Sequence, residues 1–144
     1  MPTVRDVLAD KASHLHSISP QASVLDAIHK MNQAGIGALV VMQNDQMVGM
    51  FTERDVLRRV VGEERNPAET VVAQVMTGAV ICVEPDTDLD EVSEIMKQRR
   101  IRHLPVCKAG KLLGMISIGD VNAVHASNQQ AQIHYLNEYI YGRA

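Results

Sequence analysis

Two hydroxyl–carboxylate pairs have the residue types and spacing to do chemistry: Thr52 with Asp55, and, 65 positions later, Ser117 with Asp120. Each pair closes an apolar run and opens a segment with helical patterning. The spacing is that of a capping box, in which the hydroxyl at the N-cap and the carboxylate at N3 satisfy backbone N–H groups that the first helical turn leaves over. Taken singly, each pair reads as a cap. A helix start also carries the positive end of the backbone dipole, so a phosphate can settle beside the capping hydroxyl. A carboxylate three residues on can accept from two vicinal hydroxyls, as a ribose offers. Capping and nucleotide binding draw on the same side chains, and the pairs alone do not separate them.

The elements that must position the pairs are themselves duplicated. The 65-residue offset that relates residues 49–55 to 114–120 also pairs Pro20 with Pro85, Met31 with Met96, Ile36 with Ile101, Leu39 with Leu104, Val41 with Val106 and Val56 with Val121. This is an internal repeat of one supersecondary unit. In the first copy, residues 17–19 form an extended segment stopped by Pro20. Ser23 then caps a helix whose Val24, Ala27, Ile28 and Met31 fall on one face, ended by Gly35. Two apolar runs around Asn44-Asp45 predict a hairpin, and the helix after Thr52 carries Val56, Leu57, Val60 and Val61. The second copy repeats the plan with Leu89, Val92 and Met96, and with a hairpin around Ala109-Gly110. The expected fold is α/β in the α+β sense, two β-α-β-β-α units over 3–63 and 71–125 with a linker at 64–70. A tail over 126–144 places Ile133, Leu136 and Ile140 on one helical face. The lead-ins at 3–8 and 72–76 are alike, and the first unit has about three extra residues near 9–13, expected as a loop.

Composition narrows the function classes. At 144 residues and 46% hydrophobic, the chain can bury a core, filled by aliphatic side chains because aromatics are only 3% and Trp is absent. A net charge of −3 and so few aromatics argue against a nucleic-acid surface. No apolar run reaches the roughly 18 residues that span a bilayer, so a soluble, cytoplasmic protein without membrane contact is expected. Cys82 and Cys107, in strand-like apolar segments, are expected as buried reduced thiols, a disulfide or redox pair being the alternative. His14 and His16 lack a third ligand nearby, so no metal site is expected. No catalytic residues are assigned, because no Ser-His-Asp, Cys-His or Gly-rich phosphate loop is present. The expectation is a non-enzyme.

The pattern Gly-hydrophobic-x-Thr/Ser-x-x-Asp, twice at the end of a β-α-β-β-α unit, resembles a tandem pair of cystathionine β-synthase (CBS) domains, a Bateman module. The resemblance covers about residues 3–125. It implies two repeats packed with pseudo-twofold symmetry, plus here a C-terminal helix, with two equivalent clefts for adenine nucleotides between them. Thr52, Asp55, Ser117 and Asp120 would hold ribose and phosphate, and Ser17, Ile18 and Pro20, or Ile81, Val83 and Pro85, would line the base. The family often places cations at the start of the hairpin. Here Arg100-Ile101-Arg102-His103 aligns with Gly35-Ile36-Gly37-Ala38 of the first copy, so Arg102, His103, Arg54 and Arg58 are the expected phosphate contacts and the clefts are expected to differ. A solvated helix end is the competing reading for Arg99 and Arg100. The implied function is a stand-alone regulatory sensor of AMP, with ADP, ATP, NADH and S-adenosylmethionine as alternatives, no required cofactor, a homodimer and an unidentified protein target. A ligand-free docking module is the second reading.

Overall fold

In the computed structural model, which describes residues 2–10 and 15–127, each repeat is built around a hairpin. Strands β2 (Ala38–Gln43) and β3 (Gln46–Thr52) are joined by Asn44 and Asp45, at φ 53° and 63°. Strands β4 (His103–Lys108) and β5 (Lys111–Ser117) turn at Ala109 and Gly110, at φ 52° and 77°. Two successive positive φ values give the turn twist that matches antiparallel strands. The two hairpins carry a register shift at the same place, between Val41 and Met42 and between Val106 and Cys107.

The third strand differs between the copies. In the first, β1 (Ser17–Ile18) runs parallel to β2, and the Val40 N–H donates to the His16 carbonyl at 3.2 Å. Position 105, the counterpart of Val40, is proline and has no N–H to give. The second copy accordingly keeps a single parallel bridge, in which Val83 donates to the Pro105 carbonyl at 3.0 Å and accepts from the Cys107 N–H at 2.9 Å. Cys82, beside this bridge, is exposed and Cys107 is half-buried, rather than both lying in the core.

Helix α2 (Val24–Ala34) starts where the Ser23 hydroxyl accepts from the Asp26 N–H at 3.0 Å and stops at left-handed Gly35. It buries Val24, Ala27 and Met31. Helix α5 (Leu89–Arg99) buries Leu89, Val92 and Met96 and ends at Arg100, which takes the left-handed conformation without being glycine (φ 55°). Helix α3 (Glu53–Asp55) runs directly into a π-helical stretch, Val56–Val61, with the Gly62 N–H on the Leu57 carbonyl. Such winding turns the chain less per residue, so the four apolar side chains do not share one face. Val60 is fully buried while Leu57 and Val61 are 66% and 61% exposed. Residues 118–127 form helix α6; the expected tail helix lies outside the described residues.

Each repeat completes its core with the lead-in of the other. Helix α1 (Val4–Asp10) inserts Val4 and Val7 among Val83, Leu89, Val92, Leu104 and Ile116. Helix α4 (Val72–Val75) inserts Val72 and Val75 among Val24, Ala27, Leu39, Phe51 and Val60. Backbone bonds fix the exchange, from Val4 N–H to the Thr87 carbonyl at 2.9 Å and from Val72 N–H to the Ala22 carbonyl at 2.9 Å. Burying each such valine contributes about 1.5 kcal/mol or more. The two sheets meet through β3 and β5, giving the α+β pair with approximate twofold relation that the repeat implies.

Candidate functional site

The glycine that opens each motif is required by the exchanged lead-in. A Cβ on Gly49 would lie 2.6 Å from the Thr77 carbonyl oxygen, and one on Gly114 would lie 3.0 Å from Leu8 Cδ2. The segment after α4 can therefore lie flat on β3, where Met50 and Thr77 exchange two backbone hydrogen bonds of 2.9 Å. This brings Thr77 over the start of α3.

There the capping box forms in full. The Thr52 N–H donates to Asp55 Oδ2 at 3.0 Å, and the Asp55 N–H donates to Thr52 Oγ1 at 3.4 Å. The Thr77 hydroxyl adds a bond to Asp55 Oδ1 at 3.2 Å. Arg59 Nε stands 3.9 Å from that oxygen and donates Nη1 to the Met76 carbonyl at 2.9 Å. Asp55 is only 5% exposed, so a buried carboxylate is balanced by a hydroxyl, a backbone N–H and a guanidinium. In the second motif the Ser117 N–H donates to Asp120 Oδ2 at 2.9 Å and the Asp120 N–H to Ser117 Oγ at 3.1 Å. Asp120 is half-buried.

Each motif lines a cleft whose opposite wall comes from the other repeat. The first cleft, about 600 Å³, sets Thr52 and Asp55 against Thr77 and residues 79–81 and 99–104. The second, about 720 Å³, sets Ser117 and Asp120 against Gly35-Ile36-Gly37-Ala38 and Leu15-His16. Both have the size of small-molecule sites. Because the hairpin starts are crossed in this way, the difference between Arg100-Ile101-Arg102-His103 and its glycine-rich counterpart becomes a difference between clefts. Arg54, Arg58, Arg99, Arg100 and Arg102 all line the first. Among the described residues, no Lys or Arg lines the second. His103, at the start of β4, touches both.

Arg54 also donates Nη1 to the Arg100 carbonyl at 2.6 Å, bridging the mouth of the first cleft from α3 to the end of α5. Of the residues expected beside the base, Ile81 lines the first cleft; Ser17, Ile18, Pro20, Val83 and Pro85 are not among the residues lining either one. Pro20, Val83 and Pro85 are buried. In the first copy the earlier positions Leu15 and His16 face the second cleft instead. Thr77 and Arg59 were not singled out from sequence. Thr77 has no hydroxyl counterpart, since the equivalent lead-in position in α1 is Ala9. His14 lies outside the described residues, and among those described no three His, Cys, Asp or Glu side chains converge as a metal site would require.

The family model of the CBS domain matches residues 4–62 and 72–125. An Arabidopsis thaliana protein named as CBS domain-containing protein CBSX3, mitochondrial, is 34% identical over 149 residues, covering 97% of this chain and 72% of its own. A CBS-domain protein from Burkholderia ambifaria superposes with a TM-score of 0.86 at 40% identity, covering 89% of this chain and 96% of its own. The CBS domain pair of MJ0100, solved with 5-methylthioadenosine and S-adenosylmethionine, superposes at 0.78 over 89% of this chain and 98% of its own. At 18% identity that likeness is one of fold. Among the described residues, no helix is long and apolar enough to cross a membrane.

Proposed function

The chain belongs to the CBS-domain family, with two domains in tandem, and from that premise we propose that it is a regulatory sensor of a phosphorylated adenosyl ligand such as AMP, read out by a partner protein. The observation that carries this reading is the convergence of five arginines on the cleft that also holds Thr52 and Asp55. A guanidinium presents paired donors that fit phosphate oxygens. The helix start and the Thr52 hydroxyl add donors at the same place. Asp55 has acceptor capacity beyond the Thr52 and Thr77 bonds, since an ionised carboxylate offers about four lone-pair sites. Ile81 and the segment before it give the base an apolar wall.

The second cleft suits an adenosyl ligand with less negative charge. Ser117 and Asp120 offer the same ribose chemistry there, among Leu8, Leu15, Ile36 and Met115. That the fold accommodates such molecules is seen in the MJ0100 pair with its two adenosyl compounds. Binding is read here without turnover, because Asp55 is committed to Thr52, Thr77 and Arg59 and is not placed as a general base.

Signalling follows from unequal ligand affinity for two arrangements of the module. Leu57 and Val61, exposed one turn apart, support a homodimer formed through this helical face. Sedimentation of Leu57→Asp as a monomer beside a dimeric parent is the expected result. Calorimetry against AMP, ADP, ATP, NADH and S-adenosylmethionine tests the sensor directly. Heat from at least one, with AMP bound more tightly than adenosine, is expected; silence from all five leaves the ligand-free docking module as the function. Ligand at 100 times its dissociation constant adds about 2.7 kcal/mol of stability.

A further inference from the structure

Away from the ribose motifs, two nucleophilic side chains meet on the second repeat. The Cys107 thiol donates to Cys82 Sγ at 3.0 Å, across 25 positions of sequence. The backbone holds them there. Cys107 donates its N–H to the Val83 carbonyl, and Val83 follows Cys82 directly. A disulfide needs the sulfurs about 2.05 Å apart, so they have only about 1 Å to close.

We propose that Cys82 and Cys107 are a dithiol–disulfide couple, a redox-modification site at which a small disulfide such as oxidised glutathione ties the segment around Val83 covalently to β4. The two thiols have distinct parts. Cys82 is exposed and meets the oxidant first, while Cys107 is half-buried. Burial first, then the hydrogen bond and charge of Cys82, push the Cys107 thiol up to about 12, which keeps its proton in place while Cys82 reacts.

The Cys82 thiolate attacks one sulfur of the small disulfide and expels a thiolate, which takes up a proton from solvent. With Cys82 in a mixed disulfide, its charge no longer opposes ionisation of Cys107. Cys107 gives its proton to solvent and attacks Cys82 Sγ, and the second small thiolate leaves and takes up a proton from solvent. Two protein thiols lose two electrons, and one disulfide becomes two thiols. The segment that is tied down continues back through Ala79, Val80 and Ile81, which line the arginine-bearing cleft, so oxidation anchors part of that wall.

The full chain equilibrated in glutathione buffers of increasing oxidised fraction provides the test, read by intact mass, maleimide labelling and amide exchange. Both thiols should be lost together, with a mass decrease of two hydrogens, no link between chains, and recovery in dithiothreitol. Amides of residues 79–83 should exchange more slowly in the oxidised form. Cys107→Ser should stop at a glutathione adduct on Cys82. A stable adduct on the parent protein with Cys107 still open to maleimide, a disulfide between chains, or retention of both thiols in fully oxidised buffer would each overturn the proposal.

Discussion

The Thr77 hydroxyl donates to Asp55 Oδ1 at 3.2 Å, so the lead-in of the second repeat is bonded to the motif carboxylate of the first. In the second motif Ala9 stands where Thr77 would, so no hydroxyl reaches Asp120 from that position. Two motifs alike in sequence thus differ in the support that the neighbouring lead-in gives them.

Removing the Asp55 carboxylate should therefore cost more than removing the Thr77 hydroxyl alone. Asp55→Ala loses a cap, a cross-repeat hydrogen bond and the partner of Arg59, and should cost about 2–3 kcal/mol. Thr77→Val removes only the cross-repeat hydrogen bond and should cost about 1 kcal/mol. Urea denaturation midpoints measure the difference, and a Thr77→Val variant as stable as the parent would contradict the cross-repeat bond.

The motif glycines offer a second comparison. Gly49→Ala forces a Cβ to 2.6 Å from a backbone carbonyl, which cannot swing aside, whereas Gly114→Ala meets a leucine methyl at 3.0 Å, which can. The first should cost about 1–3 kcal/mol as overpacking does, and the second should be milder. Thermal unfolding of the two variants checks the order.

Charge removal should discriminate between ligands. Arg58→Ala and Arg102→Ala should each weaken AMP about tenfold, or about 1.4 kcal/mol, and leave adenosine unchanged. Raising the salt concentration should erode AMP binding in the parent more than in either variant. Calorimetry with the two ligands side by side reads both effects. An equal loss for adenosine would mean that the arginines shape the cleft rather than hold phosphate.

Alkaline stability should depend on Cys107. Its thiol is raised from 9.0 to about 12, first by burial and then by Cys82. Below pH 9 folded and unfolded chains both hold the proton, and between 9 and about 12 only the folded chain does. The folded state thus binds more protons in that window, and stability falls as pH rises through it. Cys107→Ser should show a shallower decline over the same range in denaturant titrations.

Much of the scaffold was legible because local chemistry dictated it. Asn44, Asp45 and Gly110 tolerate the positive φ of tight hairpins, which Ala109 adopts against its Cβ, and the Ser23 hydroxyl and the left-handed backbone of Gly35 bound α2. What could not be read was destination. The spacing of Val4 and Val7 shows that one face of α1 must be buried, but not that it is buried in the other repeat. The inequality between Arg100-Ile101-Arg102-His103 and Gly35-Ile36-Gly37-Ala38 was plain, yet only the crossed walls show that Arg100 and Arg102 fall in the same cleft as Arg54 and Arg58. The role of Thr77 is set by that crossing, so no local pattern signals it. Likewise the exposure of Leu57 and Val61 follows from π-helical winding that their α-helical spacing does not announce.

The traded lead-in helices make each half of the molecule a lodger in the other. A lone unit of about 60 residues, already marginal for its size, would have a vacant socket in its core and an apolar key with nowhere to go. Two separate copies could satisfy both only by swapping, at a strength that depends on their concentration. Writing both copies into one chain makes that swap independent of dilution. It also releases the two sockets and the two clefts from having to be identical, and that freedom lets one cleft gather five arginines while the residues described around its twin include none.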